Sequence, residues 1–168
     1  MIRPRVPGDL AACVGVLRAV HEGDGYPANW PDDPEGWLTP PGMLQAWVAT
    51  DGDEITGHVV LRGADPALPE ADGIVARLFV AAHARGSGAA TEAGGSEGRV
   101  RQGAAAGLMA AVEREAARRG LRLGLDVTDS RHRAMAFYER AGWRRVASAR
   151  TDWPDTDGRP ALLHYYLR

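Results

Sequence analysis

The order of elements in this sequence predicts an α/β fold, a mixed sheet with helices on its faces. Three observations carry it. The stretch from Gly73 to Ala117 reads as an apolar run IVARLFV, a Gly- and Ser-rich loop and an amphipathic run GAAAGLMAAVEREAA, that is, strand, loop and helix. LQAWVA and ITGHVVL flank Asp51-Gly52-Asp53, the signature of a β-hairpin. Beyond Gly120 the chain alternates strand, helix and two further strands.

Taken in order, Ile2 to Val6 is the first strand, and Asp9 is placed to cap a helix whose Leu10, Cys13, Val14 and Leu17 share one face. That helix is expected to fail by Gly23. From His21 to Trp37 the Pro and Gly content forbids a long element, while Tyr26, Trp30 and Trp37 give the loop apolar surface to anchor it. The hairpin follows, with strands at Leu44 to Ala49 and Ile55 to Leu61. Ala64 to Asp72 is a connection, and Ile74 to Val80 a buried strand. Ala104 to Arg119 carries Leu108, Ala111, Val112 and Glu115 at helical spacing and stops at Gly120, where a C-terminal cap belongs. Leu121 to Val127 is a strand, Ser130 to Arg140 a helix, and Trp143 to Ala149 and Ala161 to Leu167 the last strands.

Composition narrows the function classes. A chain of 168 residues, 45% hydrophobic, suits one globular domain spanning 1–168. No apolar run approaches the roughly 18 residues of a membrane span, so a soluble, cytoplasmic protein with no membrane partner is expected. Cys13 is the one cysteine, read as a small core residue rather than a nucleophile. No Cys and His cluster at ligand spacing occurs, so no metal is expected. Charge is uneven: residues 1–98 hold 6 Arg against 14 acids, residues 99–168 hold 14 Arg against 8. This is read either as a cationic ligand on one side and an anionic one on the other, or as two solvated faces of unequal sign. The basic half lacks interleaved aromatics and any nucleic-acid motif, so nucleic acid is not an expected partner. A glycine loop running into a helix start supplies unpaired N–H groups and a favourable dipole, which fits a phosphorylated cofactor.

Two segments then carry a resemblance. LFVAAHARG…GAAAGLMAAVE resembles the acyl-CoA-binding motif of the GNAT superfamily of N-acetyltransferases, and LRLGLDVTDSRHRAMAFYERAGW resembles the second cofactor motif of that family. The resemblance implies a GNAT-like acyl-CoA N-acyltransferase fold, in which the parallel strands Ile74 to Val80 and Leu121 to Val127 splay around a pantetheine arm. It implies acetyl-CoA as cofactor, held by backbone groups of Leu78, Phe79 and Val80, one N–H facing the thioester carbonyl where negative charge develops. It implies transfer of an acetyl group to a primary amine by direct attack in a ternary complex, with Tyr138 as proton donor to the leaving thiolate. The alternative for Tyr138 is a ring packed beneath the cofactor.

The sequence departs from the family in three places. Arg131 stands where an Asn is common, and meets a phosphate in this reading. Ile74 stands where a catalytic Glu often falls, so the base must come from elsewhere. About fifteen extra residues interrupt the glycine loop, and 87–102 has the composition of a flexible insertion in the pyrophosphate loop. Two registers of the loop compete: Arg85, Gly88 and Ala90, or a split motif of Arg85-Gly86 before the insertion and Gly103-Ala104-Ala105 after it. The split motif is preferred.

For the acceptor, Glu22, Tyr26 and Trp30 in the acidic, aromatic loop fit a small-molecule amine; a surface loop pinned by its tryptophans is the plain alternative. Trp153 with Asp152, Asp155 and Asp157 forms a second such patch. His58, inside a strand, is the first candidate base, with Glu22, Asp72, His83 or a water relay behind it. A catalytically silent acyl-CoA-binding or regulatory module of the same fold is the rival reading, and a monomer or homodimer is expected.

Overall fold

The computed structural model describes residues 1–86 and 103–168, so the insertion expected at 87–102 and the alternative register through Gly88 and Ala90 lie outside the described residues. Seven strands form one sheet in the order β1-β2-β3-β4-β5-β7-β6. They are β1 (Ile2–Pro4), β2 (Met43–Asp51), β3 (Glu54–Gly63), β4 (Gly73–Val80), β5 (Leu123–Thr128), β6 (Arg144–Pro154) and β7 (Pro160–Leu167). The helices are α1 (Leu10–Asp24), the single turn α2 (Pro34–Trp37), α3 (Ala104–Arg119) and α4 (His132–Arg140). All neighbouring strands are antiparallel except β4 and β5.

Helices cover both faces, and the strand sequences record it. Along β3, Val59 and Leu61 join the core beneath α3, with Leu108, Met109, Ala111, Val112 and Ala116. His58, on the other face, stacks on Phe79 at 5.2 Å between ring centres. Phe79 belongs to the second core, beneath α1, with Cys13, Leu17, Val20 and Leu38. A strand buried on both sides reads as a continuous apolar run rather than an alternation, as ITGHVVL does. Cys13 is fully buried, and burial pushes its thiol up to about 11, so it is a core residue.

Two helix ends show where local chemistry decides. Gly120 takes φ +70 and its N–H returns to Ala116 and Ala117 carbonyls, the cap expected of a glycine in that place. α1 runs past Gly23 to Asp24 and closes at Gly25, φ +68, whose N–H meets the His21 carbonyl at 2.9 Å. One mid-helix glycine costs only about 1 kcal/mol, which the burial of Val20 in that last stretch offsets. Asp9 precedes α1 but makes no cap bond to it. Its carboxylate instead takes two bonds from Arg3 at 2.8 Å and one from the Val6 N–H, and the Arg3 bond holds it down at about 2.

The placement of the site follows from β4. It pairs with β5 only at Gly73↔Leu123 and Ile74↔Gly124, after which the two strands part. On its other side the register with β3 slips: His58↔Phe79 is followed by Val60↔Ala76, three steps on β4 against two on β3. That is a β-bulge. Arg77 in the bulge has φ +56, a left-handed backbone rare for a side chain with a Cβ.

Candidate active site

Two cavities open where β4 and β5 part. One, of about 700 Å³, has Leu78, Phe79, Val80, Arg85, Ala105, Arg131, Arg133 and Tyr138 in its wall. The other, of about 720 Å³, is walled by Tyr26, Trp37, Arg62, Arg77, Asp126 and Trp153, among others. Five residues belong to both: Asp24, Leu78, Ser130, Arg131 and Tyr138. The two cavities are therefore halves of one cleft through the splayed sheet.

The first half is cationic. Arg85 is anchored by its Nε to the Val80 carbonyl at 3.0 Å and by an ion pair to Asp24, whose carboxyl that bond holds low. Arg131, just before α4, lies 4.0 Å from the Tyr26 ring centre. Ala105 is in the first turn of α3, where N–H groups lack partners within the helix and no side chain among the described residues caps them. Gly86 and Gly103 lie against each other: a Cβ on Gly103 would stand 3.1 Å from the Gly86 nitrogen. The two pieces of the split motif are thus adjacent in space, with Arg85 and Ala105, each next to one of those glycines or a residue beyond, in the cavity wall. Gly86, Gly103 and Ala104 are not in the wall themselves.

Tyr138, 8% exposed, stands at the junction. Among the described residues its hydroxyl has no hydrogen-bond partner, and burial raises its pKa, so the phenol is neutral at physiological pH. Trp143 and Tyr166 pack on its ring, at 6.1 and 6.3 Å between centres.

His58 does not reach the cleft. It is fully buried and in the wall of neither cavity. Nδ1 lies 3.1 Å from the Arg77 carbonyl and Nε2 2.9 Å from Arg5 Nη1. A carbonyl and a guanidinium leave one consistent tautomer: Nδ1–H donates to Arg77, and Nε2 accepts from Arg5. Arg5 is fixed in turn by the Leu38 carbonyl at 2.6 Å and Thr39 Oγ1 at 2.8 Å. Burial, and secondarily the charges of Arg5 and Arg77, brings the imidazole down to about 4. A histidine with both nitrogens committed in the core is not the base expected of it. Its bond to the Arg77 carbonyl makes it a support of the β4 bulge.

The acceptor-side expectations divide. Tyr26 is in the cavity wall, and burial raises its pKa. Glu22 is exposed on α1 and Trp30 packs against His21 and Arg18, and neither is in the wall. The loop bends so that Tyr26 and Trp37 meet edge to face at 6.0 Å, which turns Trp30 back onto α1. Of the second patch, Trp153 and Asp155 join the cavity and Asp152 and Asp157 do not.

Asp126, Arg77 and Arg62 were not singled out in the sequence. Asp126 faces the cavity and is accessible to water, yet the surrounding protein desolvates it and raises its pKa. It is a carboxylate in an otherwise apolar strand, LGLDV, as Arg77 is a cation within IVARLFV. A charge inside a buried strand was the available signal. A Ser148–His164–Asp129 chain, with contacts of 2.6 and 2.7 Å, ties β6, β7 and the end of β5 together and is in the wall of neither cavity.

The one parallel pair thus splays over a cleft that is cationic on one side and, on the other, aromatic with charges of both signs. The model of the acetyltransferase (GNAT) family matches residues 96–143. The fold is that of GNAT acetyltransferases along nearly the whole chain. The ribosomal-protein-S18-alanine N-acetyltransferase of Escherichia coli is 20% identical, with TM-score 0.68 over 99% of this chain and 92% of that one. An N-acetyltransferase from Staphylococcus aureus Mu50 is 16% identical, TM-score 0.72, over 100% and 96%. Arabidopsis thaliana NAA60, solved in complex with a bisubstrate analogue, is 15% identical, TM-score 0.70, over 100% and 96%. No curated protein matches the chain by sequence. The resemblance and the fold class read from the sequence are borne out. Among the described residues, no helix is long and apolar enough to cross a membrane, and no group of three or more His, Cys, Asp or Glu could hold a metal ion.

Proposed function

We propose that the chain transfers an acetyl group from acetyl-CoA to the primary amine of a small molecule, in a ternary complex within the cleft. The observation that carries this reading is the meeting of the two cavities at Leu78, Arg131 and Tyr138. The cationic half fits acetyl-CoA by the chemistry of its donors: Arg85, Arg131 and Arg133 for phosphates, the first turn of α3 for the pyrophosphate, and the backbone of Leu78 to Val80 for the pantetheine amides. Acetyl-CoA supplies an activated acetyl group as a thioester.

The chain's residues do the rest. Asp126 accepts a proton from the incoming ammonium, and its raised pKa brings it nearer the operating pH that suits a general base. The freed nitrogen forms the amide bond as the carbon–sulfur bond breaks. Tyr138 gives its proton to the departing thiolate and recovers one from the acylated nitrogen; the proton on Asp126 passes to solvent. The Arg77–Leu78 peptide is planar, so with the Arg77 carbonyl held by His58, the Leu78 N–H points the opposite way, where it can bond the thioester oxygen.

Differential scanning fluorimetry with acetyl-CoA, followed by a thiol-release assay over an amine panel, tests this. Preferential binding to the folded state raises Tm, and one or more amines release CoA. No Tm shift at millimolar acetyl-CoA refutes the cofactor. A shift with no turnover on any amine refutes the transferase and favours the silent binding module.

A further inference from the structure

The acceptor half of the cleft holds two opposite charges that do not meet. Continuing the β4–β5 register two residues past Ile74↔Gly124 sets Ala76 level with Asp126. The strands have parted there, so Asp126 and Arg77 stand on opposite walls of one gap. Asp126 has no hydrogen bond or ion pair among the described residues. Arg77 donates its Nε to the Trp37 carbonyl at 3.1 Å, and its guanidinium lies 3.9 Å from the Trp37 ring centre. That anchors the group and leaves both terminal nitrogens without a partner among the described residues. Asp126 and Arg77 form no ion pair, yet each lies near enough to bias the titration of the other. The neighbouring Arg62 differs, being already paired to Asp65 at 2.5 Å.

We propose that the acceptor is a free amino acid, its ammonium on Asp126 and its carboxylate on the terminal nitrogens of Arg77, across the gap between β4 and β5. The inference rests on the acetyl-transfer reading and adds the second half of the substrate. Each charge faces the cleft without a charged partner among the described residues, and a zwitterion of matching span satisfies both at once. A plain monoamine would satisfy Asp126 and leave Arg77 as it is. A polyamine would set its second cation against Arg77, Arg62 and Arg131. A peptide N-terminus brings an ammonium but a neutral amide where the carboxylate should fall. Tyr26 and Trp37 offer aromatic faces to the side chain, and a cavity of about 720 Å³ is in the range of small-molecule sites. The planar fork of Arg77 matches a carboxylate in a two-point contact.

The test compares L-methionine, L-phenylalanine and L-glutamate with their C-terminal amides, alongside spermidine and an alanine-initiated peptide amide. Thiol release at saturating acetyl-CoA is read in parallel with calorimetric binding to the protein with CoA. At least one amino acid should exceed its amide tenfold or more in kcat/KM, and in binding. In Arg77→Asn that ratio should fall to near one; Asn tolerates the left-handed backbone, so the bulge is kept while the charge is lost. Equal use of acid and amide, better use of spermidine or the peptide, or a preference surviving Arg77→Asn overturns the proposal. If no amine is acetylated, the transferase reading fails, and calorimetry still decides: no preference for the acid form overturns the amino-acid site as well.

Discussion

His58→Gln gives the sharpest test of the buried network behind β4. In the folded chain His58 is neutral, its pKa brought down to about 4 by burial, whereas an unfolded histidine titrates near the ordinary value of 6.5. Above 6.5 neither state binds the proton and the stability is complete. As pH falls from 6.5 towards 4 only the unfolded chain takes up the proton, so stability is lost through that window and stops falling once the folded chain is protonated too. A difference of about 2.5 pH units corresponds to about 3 kcal/mol, a large part of the stability of a small domain. Arg5 on Nε2 and the Arg77 carbonyl on Nδ1 are the groups that face the ring, and protonation would turn Nε2 against Arg5. Gln does not titrate, so His58→Gln starts less stable at pH 7.5, and the gap to wild type closes by about 3 kcal/mol by pH 4. Urea unfolding followed by tryptophan fluorescence at half-unit pH steps measures this, the buried Trp47 and Trp143 being reporters. Parallel stability curves for the two proteins would refute the buried neutral histidine. The same variant should retain the acidic limb of kcat/KM, as expected if Asp126 is the base proposed above.

Tyr138→Phe should lower kcat tenfold or more with acetyl-CoA affinity changed less than a few fold, as expected when a proton donor alone is removed; unchanged turnover in steady-state assays would make the ring purely structural. Deleting Ser87 to Val100 leaves Arg101 and Gln102 to join Gly86 to Gly103, whose backbones already touch. The variant should fold and keep CoA affinity within a few fold by calorimetry, and a folded variant that no longer binds CoA would sink the split motif.

The sheet was legible because its strands obey local rules. The Asp-Gly turn, the two-sided apolar runs of β3 and β4 and the Gly120 cap are properties of a few consecutive residues. The cationic half of the cleft was legible for a related reason, since Leu78 to Val80, Arg85, Ala105, Arg131 and Tyr138 fall within the two motifs. The acceptor half was not. Whether His58 faces the cleft or the core depends on the strand's parity against α1, which the residues around it, buried on both sides, do not reveal. Asp126 and Arg77 meet across a gap that exists only because β4 and β5 stop pairing after two residues. Sequence places them 49 positions apart with nothing to connect them.

The bulge connects these results. An arginine at φ +56 is held by constraints from several directions: its carbonyl by His58, its Nε by the Trp37 carbonyl, its guanidinium by the Trp37 ring. Strain of this kind, of order 1–3 kcal/mol, persists only where the surroundings over-determine it. Here the surroundings extend from Arg5 at the end of β1, through His58 in the core, to α2, so elements remote in sequence fix one peptide plane. That peptide carries the Arg77 carbonyl on its core side and the Leu78 N–H on the other, and its side chains belong to the acceptor half and to both halves of the cleft. A single local distortion thereby parts β4 from regular pairing and underlies both halves of the proposed site, the cation offered to the acceptor and the donor offered to the thioester. In an unbulged β4 the Arg77 carbonyl would be spent on the ladder with β3 instead of on His58, and Arg77 would lose the left-handed backbone that sets its side chain.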